Sequence, residues 1–197
     1  GKSTPQSLKM LGDIYINEKL YELAADSYIR AAQKQPEGNA DRALRSAKIL
    51  ATRGAFDQTK RLLDTIEDIY SGKLDTEQHK DLLKLSARLA VVEGSAEDQV
   101  RVLKEIVELD PKDGEALLLL GQHYATEGST EKAIEYYKKA AEIEDYKADA
   151  KVRHAQLLVQ NGKYAEALPL LRNAQKINPR TNVQKYLDQV ERIASRG

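Results

Sequence analysis

Apolar side chains recur three or four residues apart along almost the whole chain, as at Leu8, Leu11 and Tyr15 or at Val183, Leu187 and Val190, with polar residues between them. That spacing gathers the apolar positions onto one face of an α-helix. The pattern is broken by short turns, among them Glu93-Gly94-Ser95, Glu127-Gly128-Ser129 and Asn161-Gly162-Lys163. Glycine just past a helix end takes the left-handed conformation at little cost, and serine can cap the helix that follows. These turns therefore predict helix boundaries rather than phosphate-binding loops.

The helical pattern itself repeats. Gly128, Ala133 and Ala140 return as Gly162, Ala167 and Ala174, each 34 residues on. A fixed period of this length marks a solenoid, in which each unit buries its apolar face only against its neighbours. The unit from Gly114 to Lys147 carries Leu117, Leu120, Gly121, Tyr124, Ala133, Tyr137 and Ala140, and the unit from Pro5 to Gly38 carries Leu8, Leu11, Gly12, Tyr15, Ala24, Tyr28, Ala31 and Pro36. This series resembles the tetratricopeptide repeat, a pair of antiparallel helices often closed by proline; Asp145 stands where that proline is expected. Three more units align with lower fidelity, at 40–73, 80–113 and 148–181.

The resemblance implies an all-α, right-handed α-solenoid superhelix over residues 1–197 as a single domain. Residues 182–196 are expected to form a capping helix over the last apolar face. One small slot recurs at Gly12, Ala47, Ala87, Gly121 and Ala155, where two helices approach closely; Tyr15 and Tyr124, three residues on, are expected to fill the space left there. Lys73 to His79 is extra sequence in which Asp75 and Gln78 form a capping-box pattern, so the next helix should start a turn early. Pro169 falls inside a predicted helix and is expected to bend it.

Composition narrows the function. The chain has 31 basic and 31 acidic side chains and no net charge, which disfavours nucleic acid as a partner. No segment approaches the ~20 apolar residues of a membrane span. Without cysteine there is no disulfide framework, thiolate nucleophile or thiolate metal site. Gly1-Lys2-Ser3-Thr4 copies the end of a phosphate-binding loop but lacks the upstream glycine and strand; it reads instead as a leader in which Thr4 caps a helix starting at Pro5. His79, His123 and His154 share no metal-ligand spacing, and His154 takes a slot that is leucine at Leu11 and Leu120, as a partly buried packing residue would. No catalytic, cofactor or metal residue is expected, and the chain reads as a non-enzyme. Of the ten tyrosines, Tyr15, Tyr28, Tyr124 and Tyr137 occupy packing slots and Tyr21 and Tyr164 correspond to each other. Tyr70, Tyr136, Tyr146 and Tyr186 are left as amphipathic fillers or surface contacts. Gly1 in place of an initiating methionine points to a trimmed chain, and the sequence is compatible with either cytoplasm or periplasm.

In the tetratricopeptide family the first helices line a concave groove for a peptide or helical segment of another protein. The resemblance places there Lys9, Asp13 and Asn17; Lys48 and Thr52; Lys84, Arg88 and Val91; Leu118, Gln122 and Thr126; and Gln156, Val159 and Gln160. The first three sets are the more basic and the last two uncharged, so an acidic stretch of the partner is expected against Lys48, Lys84 and Arg88, with amides holding its backbone farther on. One subclass of the family clamps the carboxyl terminus of heat-shock chaperones; Lys9 fits that clamp, but Asp13, Arg45, Asp81 and Leu85 do not. Asp41, Asp81, Glu115 and Asp149 recur near first-helix starts, where the helix dipole favours them. The expected role is a protein-interaction scaffold. The alternative is an architectural or self-association domain of a larger assembly, with Tyr186, Leu187 and Ile193 at an interface.

Overall fold

The computed structural model describes residues 3–196. Gly1 and Lys2, half of the loop-like tetrapeptide, lie outside them. The described residues form eleven α-helices and one short 3-10 helix, and no strand. The helices alternate as first and second members of five pairs: α1 (Pro5–Asn17) and α2 (Tyr21–Gln33), α3 (Asp41–Thr52) and α4 (Phe56–Tyr70), α5 (Thr76–Glu93) and α6 (Ala96–Leu109), α7 (Gly114–Thr126) and α8 (Thr130–Ala141), α9 (Lys147–Gln160) and α10 (Tyr164–Ile177). A final helix, α11 (Thr181–Ala194), packs on α10.

The chain divides within α6 into two compact units, one reaching to Val102 and one beginning at Leu103. In the first unit α1 packs on α2, α2 on both α3 and α4, and α5 on α3 and α4. Ala24, Tyr28, Leu44, Leu50, Leu62, Ile66 and Leu82 are among the residues of its core. In the second unit α7 packs on α8, α8 on α9 and α9 on α10. Ala155, Leu158, Ala167, Leu171, Val183, Leu187 and Val190 form a core at its C-terminal end, which places Leu187 inside the unit rather than at an interface.

All five turns within the pairs are built alike. A residue in the left-handed region is followed by one whose N–H donates to the carbonyl five residues back: Leu20 to Tyr15, Ala55 to Leu50, Ser95 to Ala90, Ser129 to Tyr124 and Lys163 to Leu158, at 2.8–3.0 Å. This is the Schellman arrangement, which satisfies a carbonyl that the helix end leaves without a donor. Gly54, Gly94, Gly128 and Gly162 hold the left-handed position with φ between 73° and 77°; in the first repeat Lys19 holds it, with φ 60°. Ser95 caps the next helix through the amide of Asp98 (3.3 Å) as expected, whereas Ser129 makes no side-chain cap. The Schellman bond already fixes that turn, so α8 starts without it.

Two boundaries depend on capping boxes. Thr4 and Ser7 exchange backbone-to-hydroxyl bonds of 3.1 and 2.9 Å ahead of Pro5, and Asp75 and Gln78 make the equivalent exchange at the head of α5 (2.8 and 3.1 Å). α5 therefore begins a turn early and runs 18 residues. The Gln78 amide also donates to Asn39 and Asp41 at 2.7 and 2.8 Å, which ties the extra segment to the start of α3. Where Asp145 replaces the closing proline, the chain makes the 3-10 turn Glu144–Tyr146, and the Tyr146 ring covers Gly114 so closely that a β-carbon there would collide with it. Pro169 is the sixth residue of α10 and is exposed. Ala165, whose carbonyl loses its donor to the proline, is exposed as well, so water can satisfy it.

The small slot corrects the sequence reading. The space beside Gly12 and Gly121 is taken by Tyr28 and Tyr137 of the second helices, not by Tyr15 and Tyr124; a β-carbon on Gly121 would lie 2.5 Å from Tyr137 Cε1. The choice is correlated along the chain: where the slot is glycine the facing position is tyrosine, and where it is Ala47 or Ala155 the facing position is Leu63 or Leu171. The remaining tyrosines also pack. Tyr70 is buried with its hydroxyl on the Gln35 carbonyl (3.1 Å), Tyr136 stacks on Tyr124 with centroids 5.6 Å apart, and Tyr186 lies against the C-terminal core.

Candidate functional site

In the first unit, two of the basic residues assigned to the groove, Lys9 and Lys48, are paired with carboxylates. Lys9 pairs with Asp13, whose other oxygen accepts the Tyr28 hydroxyl at 2.7 Å. Burial, reinforced by that carboxylate, holds the Tyr28 hydroxyl well above the usual phenol range. Lys48 pairs with Asp81 at 2.6 Å, and the Thr52 hydroxyl donates to the Lys48 carbonyl. Asp81 is the sixth residue of α5, so its role is this inter-repeat pair rather than a dipole contact. Arg88 stands over the Phe56 ring, 5.9 Å from its centroid, while Asn17 and Val91 are exposed. Lys84 is half-buried. On a face that looked basic in the sequence, Lys9 and Lys48 are thus each matched by a carboxylate of their own unit.

The second unit differs. Gln122, Thr126, Gln156 and Gln160 line one cleft of about 310 Å³, together with Ala125, Leu157, Tyr137 and Arg153. Leu118 and Val159 are not part of it: Leu118 is only 7% exposed, and Val159 packs against the C-terminal core. Arg153 supplies what the sequence reading missed. Its Nη1 donates to Gln122 Oε1 at 2.9 Å, and the charge of the same guanidinium opposes the upward push of burial on the Tyr137 hydroxyl. Gln122, which it bonds, is neutral. Its slot carries Met10, Arg45, Leu85 and Leu119 in the other repeats, so no recurrence in the sequence picks it out.

The cleft therefore offers amide donors and acceptors on α7 and α9, one cation and a short apolar floor, with Tyr137 of α8 behind them. It contains no nucleophile with an adjacent base, and no group of three or more potential metal-ligating side chains occurs among the described residues. His154 stands on the same helix; burial, aided by Lys138, lowers its basicity, with Glu166 opposing. No helix among the described residues is long and apolar enough to cross a membrane.

Stacked helix pairs with a recurrent small residue at their closest approach define a helical-repeat protein, a class generally devoted to binding other proteins. The comparisons are specific. Tetratricopeptide repeat family patterns match residues 85–150 and 124–189, and the chain belongs to the tetratricopeptide repeat family. TPR repeat-containing protein YpiA of Bacillus subtilis (strain 168) is 24% identical over 170 residues, covering 86% of this chain; the chain spans 38% of that relative's length. Among solved structures, a tetratricopeptide repeat protein from Parabacteroides merdae superposes with a TM-score of 0.67 at 18% identity, over 98% of this chain and 75% of that one. YrrB, described as a TPR protein with an unusual peptide-binding site, gives 0.64 at 17% identity over 93% and 91%. These likenesses establish the fold, and the family establishes a protein-interaction scaffold of a generally non-enzymatic kind.

Proposed function

We propose that the cleft of the second unit binds an extended segment of a protein partner, with Gln122, Gln156 and Gln160 hydrogen-bonding to its backbone. The observation that supports this is the cleft itself: three amides converge there with Arg153, whose bond to Gln122 goes to a neutral partner. An extended peptide presents unpaired N–H and C=O groups every few ångströms, and glutamine side chains can satisfy both kinds. YrrB, of the same fold, is described as having a peptide-binding site, which is consistent with this use. In the first unit Lys48 and Asp81 already neutralise each other, so an acidic partner gains less there than the sequence composition implied.

Selection of displayed random peptides on the chain tests the proposal. Clones recovered on the unmodified protein should lose about tenfold or more in affinity to a Gln156→Ala, Gln160→Ala variant, the cost of leaving peptide backbone groups unpaired. Clones that bind this variant and the unmodified chain alike, with Lys48→Glu plus Arg88→Glu also without effect, would remove the cleft and the groove from consideration.

A further inference from the structure

The first repeat carries a polar set that the cleft of the second unit reproduces with one member changed. The Tyr28 hydroxyl donates to one oxygen of Asp13 at 2.7 Å, and Lys9 pairs with the other, so phenol, carboxylate and cation form one closed set on two helices. In the fourth repeat the same slots hold Tyr137, Gln122 and Leu118. The phenol is kept, the carboxylate has become an amide, and the ammonium has become a buried leucine. A cation is nevertheless present, because Arg153 of the following repeat reaches from α9 to Gln122 Oε1 at 2.9 Å. Phenol and cation are thus both in place, with a neutral amide where the first repeat has its anion.

The chain does not supply that anion from elsewhere. Asp149, one turn before Arg153 on α9, is engaged by Arg180 at 2.8 Å. No side chain lining the cleft is acidic, and Arg153 forms no ion pair among the described residues. A guanidinium has five N–H donors in a fixed fork, so one bond to an amide leaves it able to hold a carboxylate through two parallel bonds. Its setting strengthens that capacity. Arg45, in the same slot of the second repeat, is exposed, whereas Arg153 is half-buried, and water screens a half-buried charge less.

We infer that Arg153 is the specificity-determining residue of the cleft and selects a segment with an aspartate or glutamate side chain, whose carboxylate bonds the guanidinium while Gln156 and Gln160 hold the flanking backbone. This selection rests on peptide binding in the cleft and adds what the peptide must carry. A segment that crosses the cleft leaves its terminus outside, so the carboxylate comes from a side chain. The acidic contact that composition suggested for Lys48, Lys84 and Arg88 is thereby assigned to the second unit.

The displayed random peptides selected on the unmodified chain supply the probe. They should share one acidic position, and each is synthesised with that residue either as the acid or as its amide. The change from acid to amide should weaken binding to the parent chain about tenfold or more and make no difference to Arg153→Gln. Arg153→Lys keeps the charge without the paired donors, so it should show a smaller preference for the acid. Added salt should weaken the acidic peptide alone, and amidating the peptide's C-terminus should change nothing. Peptides that respond to Gln156→Ala, Gln160→Ala yet share no acidic position overturn the inference and leave the peptide cleft standing. An acid preference that survives in Arg153→Gln does the same. Equal weakening of acid and amide peptides by Arg153→Gln assigns Arg153 to bracing Gln122 and overturns its role in selection. If Arg153→Gln does not fold, Arg153→Lys decides, and an undiminished preference overturns the inference. A requirement for the free C-terminus gives the site to a chain end and overturns the side-chain assignment. Should no selected peptide respond to Gln156→Ala, Gln160→Ala, the cleft reading and this one fall together.

Discussion

At Gly121 and Tyr137 one atom decides the packing between two helices. A β-carbon on Gly121 meets the Tyr137 ring at 2.5 Å, well inside contact distance, so Gly121→Ala is expected to lower stability by about 1–3 kcal/mol through overpacking. The Ala47 and Leu63, and Ala155 and Leu171, combinations show the compensating choice already in use. Adding Tyr137→Leu to Gly121→Ala should therefore recover most of the loss, and a urea double-mutant cycle should give a favourable coupling of about 1 kcal/mol or more. Strict additivity would mean that the tyrosine is not what fills the slot. His154 offers a second residue-scale expectation. Burial and Lys138 favour its neutral form, so the unfolded chain binds more protons than the folded one just below pH 6.5. The contribution of neutral His154 is complete above that value and is lost as pH falls through the lowered folded pKa. The stability difference between the parent chain and His154→Gln should consequently shift against the parent on going from pH 7.5 to 5.5, measured by denaturant midpoints at each pH.

Among the elements, the turn inside each pair is the most uniform, and its one exception is informative. Lys19 adopts the left-handed conformation that Gly54, Gly94, Gly128 and Gly162 supply in the other repeats. A side chain there costs about 1 kcal/mol relative to glycine in the folded state, partly offset by the greater freedom of glycine when unfolded. Lys19→Gly should thus raise the unfolding free energy by up to about 1 kcal/mol with the helix content unchanged; a loss of stability would show that the lysine makes a contact that outweighs the strain. The head of α5 has the reverse sign. Asp75→Ala removes the carboxylate acceptor for the Gln78 backbone N–H and loosens the Gln78 side chain that bridges to Asn39 and Asp41, so a loss of about 1–2 kcal/mol is expected. Hydrogen exchange should speed up first in the opening turn of α5, since that is where the cap acts.

For the molecule as a whole, what the sequence revealed and what it concealed follow from one distinction. Repeat length, helix boundaries and the early start of α5 depend on residues close in sequence, and spacing discloses them. The Tyr28 and Tyr137 fillers, the Lys48 pair with Asp81 and the place of Arg153 depend on how one helix faces another, which the periodicity of a single helix does not encode. The exposed apolar stripe of α1, formed by Met10, Leu11 and Ile14, belongs to this second kind, because Leu11 reads as an ordinary repeat slot until its exposure is seen. Balanced charge gives that stripe a consequence in solution. With 31 basic and 31 acidic side chains, little long-range repulsion opposes contact between chains near pH 7, so short-range apolar attraction governs how copies interact. Lowering the pH toward 5 adds protons to the chain, and net positive charge then restores repulsion. The osmotic second virial coefficient from static light scattering should therefore be lowest near pH 7 and rise toward pH 5. Met10→Glu with Ile14→Lys should raise the pH 7 value without moving the minimum, since net charge is unchanged and only the apolar face is lost; an unaltered value would place the attraction elsewhere on the surface.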